Sequence, residues 1–456
     1  MTKDLIQFPQ DFIWGAATSS YQIEGAWDQD QKGESIWDRF SHTPGKIENG
    51  ETGDVACDHY HRYPEDVALM KGLGLQAYRF SVSWPRFLPA GRGQVSQAGV
   101  DFYSRLVDKL LEAGIEPFLT LYHWDMPQIL EDQGGWPSRM IVDAFLEFTD
   151  VVTRSLGDRV KYWTTFNEPF VSAMLGYQIG VHAPGHTSMS EGVAAAHHIL
   201  LAHGMAVPLI RKNVPDAQVG IVTNHGPKMP ASSSFADKKA AVYADGYLNR
   251  WYLDPLAGRG YPQDMVDAFG GRMDFVQDGD LDVIATPIDY LGINYYTREI
   301  VRSKEISESE NEPPTIIQGD EITEMDWEVY PDGLYDFLGR LHFEYGYSFP
   351  AIYVTENGAA FPDTVSPDGQ VHDPARLTYI KRHLEACHRS IQIGVPLKGY
   401  FAWSLFDNFE WSFGYRPHFG IVHVDFETQK RTPKSSALWY SDVIKRHGIN
   451  IEEGNH

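Results

Sequence analysis

A chain of 456 residues with 43% hydrophobic and 22% charged positions has the composition of a folded globular protein. Its formal charge of −24 repels phosphate backbones and leaves no basic stripe for nucleic acid or anionic lipid, so a neutral substrate fits better. The length exceeds the roughly 250–300 residues at which single cores usually stop growing, although α/β barrels with insertions reach it as one domain.

In chain order, apolar strand-like runs alternate with helical patterns. FIWGAATS from Phe12 is the first strand and AYRFSVSW from Ala77 the second. The clearest helix follows: Tyr103, Leu106, Val107, Leu110 and Leu111 recur at helical spacing on one face, and Gly114 suits the C-terminal cap. It leads into the strand EPFLTLYHW from Glu116. KYWTTFNE from Lys161, QVGIVTNH from Gln218, IDYLGINYY from Ile288, AIYVTENG from Ala351 and LKGYFAWSL from Leu397 complete a set of eight. Near-continuous apolar strands separated by helices indicate a parallel sheet covered by helices, and eight of them predict a closed (β/α)8 TIM barrel. No linker divides the chain, so the whole of 1–456 is expected to be one catalytic domain with long loops after its strands. The acidic segment 302–328 follows the sixth strand and reads as a solvated loop at the barrel mouth.

Other motifs point elsewhere only at first sight. GLGLQA at 72–77 resembles a dinucleotide fingerprint, but it ends a helix and opens a strand, the reverse of what that fingerprint needs, and reads as a turn. His59 with His61, and His182 with His186, lack a completing carboxylate or cysteine set, H-E-x-x-H is absent, and neither metal nor cofactor is expected. No G-x-S-x-G elbow or Walker loop occurs. Cys57 and Cys387, the only cysteines, read as buried free thiols. MTKDLIQFPQ lacks the ~7–15-residue apolar core of a signal peptide, no apolar run approaches the ~18 residues of a membrane span, and no N-x-Ser/Thr site occurs. A cytoplasmic protein is expected, as monomer or homo-oligomer.

Two glutamates stand out. Proline cannot donate to a sheet ladder and disfavours αR geometry in the residue before it, so in TTFNEPF the fourth strand should stop at Pro169 with Glu168 extended. In AIYVTENG, Gly358 punctuates the seventh strand just after Glu356. Catalytic residues of a TIM barrel gather at these C-terminal strand ends. Eight strands ~4.8 Å apart with ~36° tilt enclose a barrel roughly 15 Å across, which brings two inward-reaching carboxyl groups to about 6 Å. That separation suits paired-carboxylate glycoside hydrolysis without choosing between retention and inversion. Strand-end amides, an imidazole and indoles nearby form an inventory that fits a polyol.

These motifs, FIWGAATSSYQIEGA, YRFSVSWPR, LYHWDMPQ, TFNEP, GINYY, YVTENG and WSLFDNFEW, occur in order along the chain. They closely resemble glycoside hydrolase family 1, the β-glucosidase family. The resemblance implies Glu168 as general acid/base and Glu356 as nucleophile of a retaining double displacement. It places Gln22, His123, Trp124, Asn167, Asn294, Trp403, Glu410, Trp411 and Phe419 around the sugar, Arg79 and Tyr296 beside the nucleophile, and Trp327 on the leaving-group side. The implied substrate is a small β-glycoside. Phe170 stands where tryptophan is common, and His418 where a basic residue is frequent. One alternative on the same scaffold is a 6-phospho-β-glucosidase, disfavoured by Glu410, with only Arg416 nearby in the loop EWSFGYRP. A non-catalytic sugar-binding barrel is the other, and it should lack one carboxylate.

Overall fold

The computed structural model describes residues 5–271, 273–304 and 315–450. Eight parallel strands close a barrel: β1 (Ile13–Ala17), β2 (Ala77–Ser81), β3 (Glu116–Tyr122), β4 (Tyr162–Asn167), β5 (Gln218–His225), β6 (Tyr290–Tyr295), β7 (Ile352–Asn357) and β8 (Leu397–Trp403), with β8 returning to pair with β1. Each predicted strand contributes one of them. Helices α1 (His59–Leu73), α2 (Gln97–Ala113), α3 (Met140–Leu156), α4 (Met189–Asn213), α5 (Phe235–Asp245), α6 (Pro331–Tyr345), α7 (Pro374–Gln392) and α8 (Ser435–Arg446) follow the strands, with shorter helical turns between them.

Tyr103, Leu106, Val107 and Leu110 are buried as their spacing predicts, but Leu111 is 39% exposed. Phe102, buried on the opposite flank, shifts the centre of the apolar arc and leaves Leu111 beyond its edge. The GLGLQA segment is the expected turn: α1 stops at Leu73, and Gly74 caps it at φ +76, a conformation that costs glycine little. By length and composition α4 could cross a bilayer, yet 83% of its apolar window is buried inside the fold. It packs on α3.

Inside the barrel, Phe118, Tyr290, Tyr353 and Phe401 form an aromatic floor, with the Phe118 and Phe401 rings 4.9 Å apart. This plug closes the N-terminal half and lifts polar chemistry to the C-terminal rim. The strands that deliver the two glutamates are irregular just there. The pairing of β4 with β5 slips between Thr164 and Asn167, and that of β7 with β6 slips between Val354 and Glu356. Such bulges re-aim side chains.

Of the acidic segment 302–328, residues 305–314 lie outside the described residues. The remainder is more than a solvated loop: Thr315–Ile316 pairs with the strand Glu299–Val301, and Trp327 turns back toward the barrel mouth.

Candidate active site

Glu168 does not take the extended conformation that the following proline suggests. Its φ is +48, in the left-handed region, and its amide donates to the Val222 carbonyl of β5 at 2.9 Å. Pro169 ends the strand as expected but also starts a helical segment running to Ile179, and that abrupt reversal is absorbed by the residue between. Trp124 (φ +78) and Trp411 (φ +52) share this costly backbone state. Three pocket residues are thus held by surroundings strong enough to offset about 1–3 kcal/mol each.

One hydrogen-bonded chain joins the two glutamates. Glu168 Oε1 accepts from Asn294 Nδ2 at 2.5 Å, the same amide donates to Asn167 Oδ1 at 3.0 Å, Arg79 donates to that oxygen at 2.6 Å, and its other nitrogen donates to Glu356 Oε1 at 2.6 Å. Tyr296 donates its hydroxyl to Glu356 Oε2 at 2.6 Å, and Thr355 fixes Asn294 by donating to its Oδ1 at 2.8 Å. Two donors on Asn167 Oδ1 settle its amide orientation, so Nδ2 donates to His123 Nε2 at 3.1 Å. The imidazole proton is then on Nδ1, which is buried without a protein partner and free to serve a sugar hydroxyl. Burial, reinforced by the Arg79 charge, holds the His123 pKa well below the usual value, so the ring is neutral.

Both carboxyl groups are almost wholly buried. Burial, and then the charge of Glu356, pushes the Glu168 pKa up to about 8. Burial raises Glu356 too, but the Arg79 guanidinium and the Tyr296 hydroxyl oppose it. Glu356 therefore ionises first and Glu168 keeps its proton near neutrality. Glu410 is likewise pushed up to about 8, by burial and then by the Glu356 charge.

Gln22 is fully buried behind Glu410, donating to Asn408 Oδ1 at 3.0 Å, the Phe409 carbonyl at 2.9 Å and Glu410 Oε2 at 3.3 Å. His123 lies nearly parallel to both Trp403 and Trp411, with centroids 6.0 Å away in each case, and Trp124 packs on Trp411 at 4.5 Å. The Trp124 indole donates to the Asn167 carbonyl at 2.9 Å. Trp327 meets Tyr296 at 5.2 Å and Phe419 at 6.2 Å, forming the facing wall. Together they line a cavity of about 1040 Å³, with Arg79, Asn167 and Gln22 one layer behind its surface. All the residues expected at the site are assembled here.

The histidine pairs considered as metal ligands face other partners: His59 meets Asp66 at 2.8 Å, His61 meets Asp58, His186 meets Glu191, and His182 forms part of the cavity wall. Three contributions escaped sequence reasoning. Asn408 and Thr355 orient Gln22 and Asn294, and their places inside WSLFDNFEW and YVTENG were the available signal. The third is a buried ionic cluster under the rim. Lys434 bridges Asp407 at 2.7 Å and Asp363 at 2.5 Å, and Arg376 joins Asp363, Asp373 and the His418 carbonyl. It clamps the turn carrying Phe419, whose neighbour Gly420 donates to Asp407 at 2.9 Å.

The family model of glycosyl hydrolase family 1 matches residues 5–449. The chain belongs to this family. It is 49% identical over 448 residues to beta-glucosidase A of Acetivibrio thermocellus, covering 97% of this chain and 99% of that one. It is 43% identical to the bifunctional beta-D-glucosidase/beta-D-fucosidase of Bifidobacterium breve, covering 96% of this chain and 98% of that one. Among solved structures it superposes on the family 1 β-glucosidase of Thermotoga maritima with TM-score 0.92 at 46% identity, covering 97% of this chain and 99% of that one. As a family 1 member the protein is a glycoside hydrolase.

Proposed function

We propose that the protein is a retaining β-glucosidase acting on terminal β-D-glucosyl residues of cellobiose, short cello-oligosaccharides and aryl or alkyl β-glucosides. The observation that carries this reading is the division of labour between two buried carboxyl groups: Glu168 protonated with a pKa near 8, Glu356 charged between Arg79 and Tyr296. Glu356 attacks the anomeric carbon while Glu168 protonates the departing oxygen, and Glu168 as base then activates the water that hydrolyses the glycosyl ester. Asn167, next to the acid and already bridged to both carboxyl groups, is placed to hold the sugar 2-hydroxyl, a contact that strengthens in the transition state. His123 Nδ1 and Glu410 serve other hydroxyls, and the indoles of Trp403 and Trp411 cover C–H faces.

The names of the A. thermocellus and T. maritima relatives support this reading, and that of the B. breve relative supports β-fucosidase as a side activity. A 6-phosphate would meet Glu410, and Arg416 is engaged with Glu48 at 3.1 Å on the surface. A cytoplasmic setting belongs to the same proposal, and the two buried free thiols support it. The test is covalent labelling: a 2-fluoro-glucoside with a good leaving group should modify Glu356, and an adduct on any other residue would refute the assignment.

A further inference from the structure

The cavity extends past the two glutamates to Phe170, Tyr247 and Tyr243. Phe170, two residues past the acid, sits edge-on to Tyr247, with centroids 5.3 Å apart. Tyr247 is followed outward by Tyr243, 6.4 Å away with its ring plane within 9°. Lys239 stands one turn of α5 before Tyr243, on the same face of the helix and about 6 Å further along it. Phe170, Tyr247, Tyr243 and Lys239 all line the cavity, so an aromatic strip leads from the scissile bond to an ammonium group.

Two features say what the strip takes. The strip is bordered by Val171, Leu175, Ala240 and Ala244, which offer hydroxyls no partner, while Asn224, Thr297, Glu299 and Ser303 line the same cavity. Flat aromatic rings suit such a channel. Lys239, moreover, is exposed and has no ion pair or hydrogen bond among the described residues, and Lys304 stands exposed on the same rim, whereas Lys228 nearby is bound by Glu299. In a chain of net charge −24, Lys239 and Lys304 bring positive charge to the cavity mouth.

We infer that, among aryl β-glucosides, this half of the cavity favours extended aromatic leaving groups that end in a carboxylate, with Lys239 reading the charge. The inference rests on the β-glucosidase reading and names the substrate class within it. Lys239 binds the departing group equally in ground and transition states, so its effect falls on KM and leaves kcat in place.

The test compares 4′-carboxybiphenyl-4-yl β-D-glucoside with its 4′-carboxamide, a pair alike in shape and in the acidity of the departing phenol. Wild-type enzyme should favour the carboxylate about 3- to 5-fold in kcat/KM at low salt, with the advantage fading at about 0.5 M salt. Lys239→Ala should erase the preference and Lys239→Glu reverse it, both leaving p-nitrophenyl glucoside hydrolysis unchanged. Tyr243→Ala should slow both biphenyl substrates about 3- to 10-fold while sparing methyl β-glucoside. Equal rates on the pair with wild type, or a Lys239→Glu variant that keeps the preference, would overturn the inference while leaving the β-glucosidase reading intact. Failure to cleave p-nitrophenyl glucoside would sink both.

Discussion

Replacing Glu168 by glutamine should make the protein more stable, by an amount that depends on pH. A carboxyl whose folded-state pKa is about 8 against an ordinary 4.5 binds its proton more tightly when folded. Its ionisation therefore opposes folding from about pH 4.5 upward, and the penalty is complete above about pH 8. Linkage puts it at roughly 0.8 kcal/mol at about pH 5 and on the order of 3 kcal/mol at about pH 7. Glutamine carries no charge at any of these values and still accepts from Asn294, so the variant escapes the penalty while keeping the contact. At ~2.1 cal/mol/K per residue, unfolding 456 residues carries an entropy of about 1 kcal/mol/K, so the 2–3 kcal/mol difference becomes about 2–3 °C in Tm. Scanning calorimetry of both proteins across about pH 5 to pH 8 should show the Glu168→Gln advantage widening with pH. A gap that stays constant, or narrows, would mean that Glu168 ionises normally and would refute its role as the resident acid.

In the pH profile of kcat/KM, activity should fall as pH rises through about 8, where Glu168 loses its proton, and the acid limb should report Glu356. Tyr296→Phe removes a donor to the Glu356 carboxylate, so that limb should move up by about one pH unit, and an unmoved limb would exclude the contact from tuning the nucleophile. Glu168→Ala should lose most activity on cellobiose and regain turnover on 2,4-dinitrophenyl glucoside with azide, whereas undiminished cellobiose hydrolysis would remove it as the acid. Wild type should hydrolyse p-nitrophenyl glucoside at least tenfold faster than its 6-phosphate, and the reverse order would favour the phospho-specific reading. Gly358→Ala should destabilise the protein by about 3 kcal/mol or more, because an added Cβ would stand 1.6 Å from the Trp403 carbonyl oxygen; a thermal melt at the wild-type temperature would contradict this.

The barrel was legible because each strand is a short apolar run closed by a turn signal, and the glutamates because Pro169 and Gly358 mark the ends of β4 and β7. Backbone reversal was not legible at Glu168: a proline excludes one conformation of the preceding residue, but only the helix that follows dictates the left-handed one adopted. The chain of hydrogen bonds from Glu168 to Glu356 was equally hidden, since Asn294 and Arg79 reach Asn167 across 127 and 88 residues of sequence. The aromatic strip along α5 and the helical segment Gly246–Arg250 that continues it shows the same limit. Tyr243 and Tyr247 announce a shared helix face by spacing alone, but whether that face looks outward or into the cavity is decided by the barrel beneath it.

The proximity of the two carboxyl groups has a consequence in time. The negative charge on Glu356 is one of the forces that keep a proton on Glu168. When Glu356 becomes an ester that charge disappears, and the affinity of Glu168 for its proton drops at the moment the proton has been handed to the leaving group. The residue that began as an acid is left with the appetite of a base for the arriving water, without any side chain having to swing. The sequence of events is set by charge bookkeeping across a fixed scaffold, and it resets when the ester is cleaved and Glu356 is charged again.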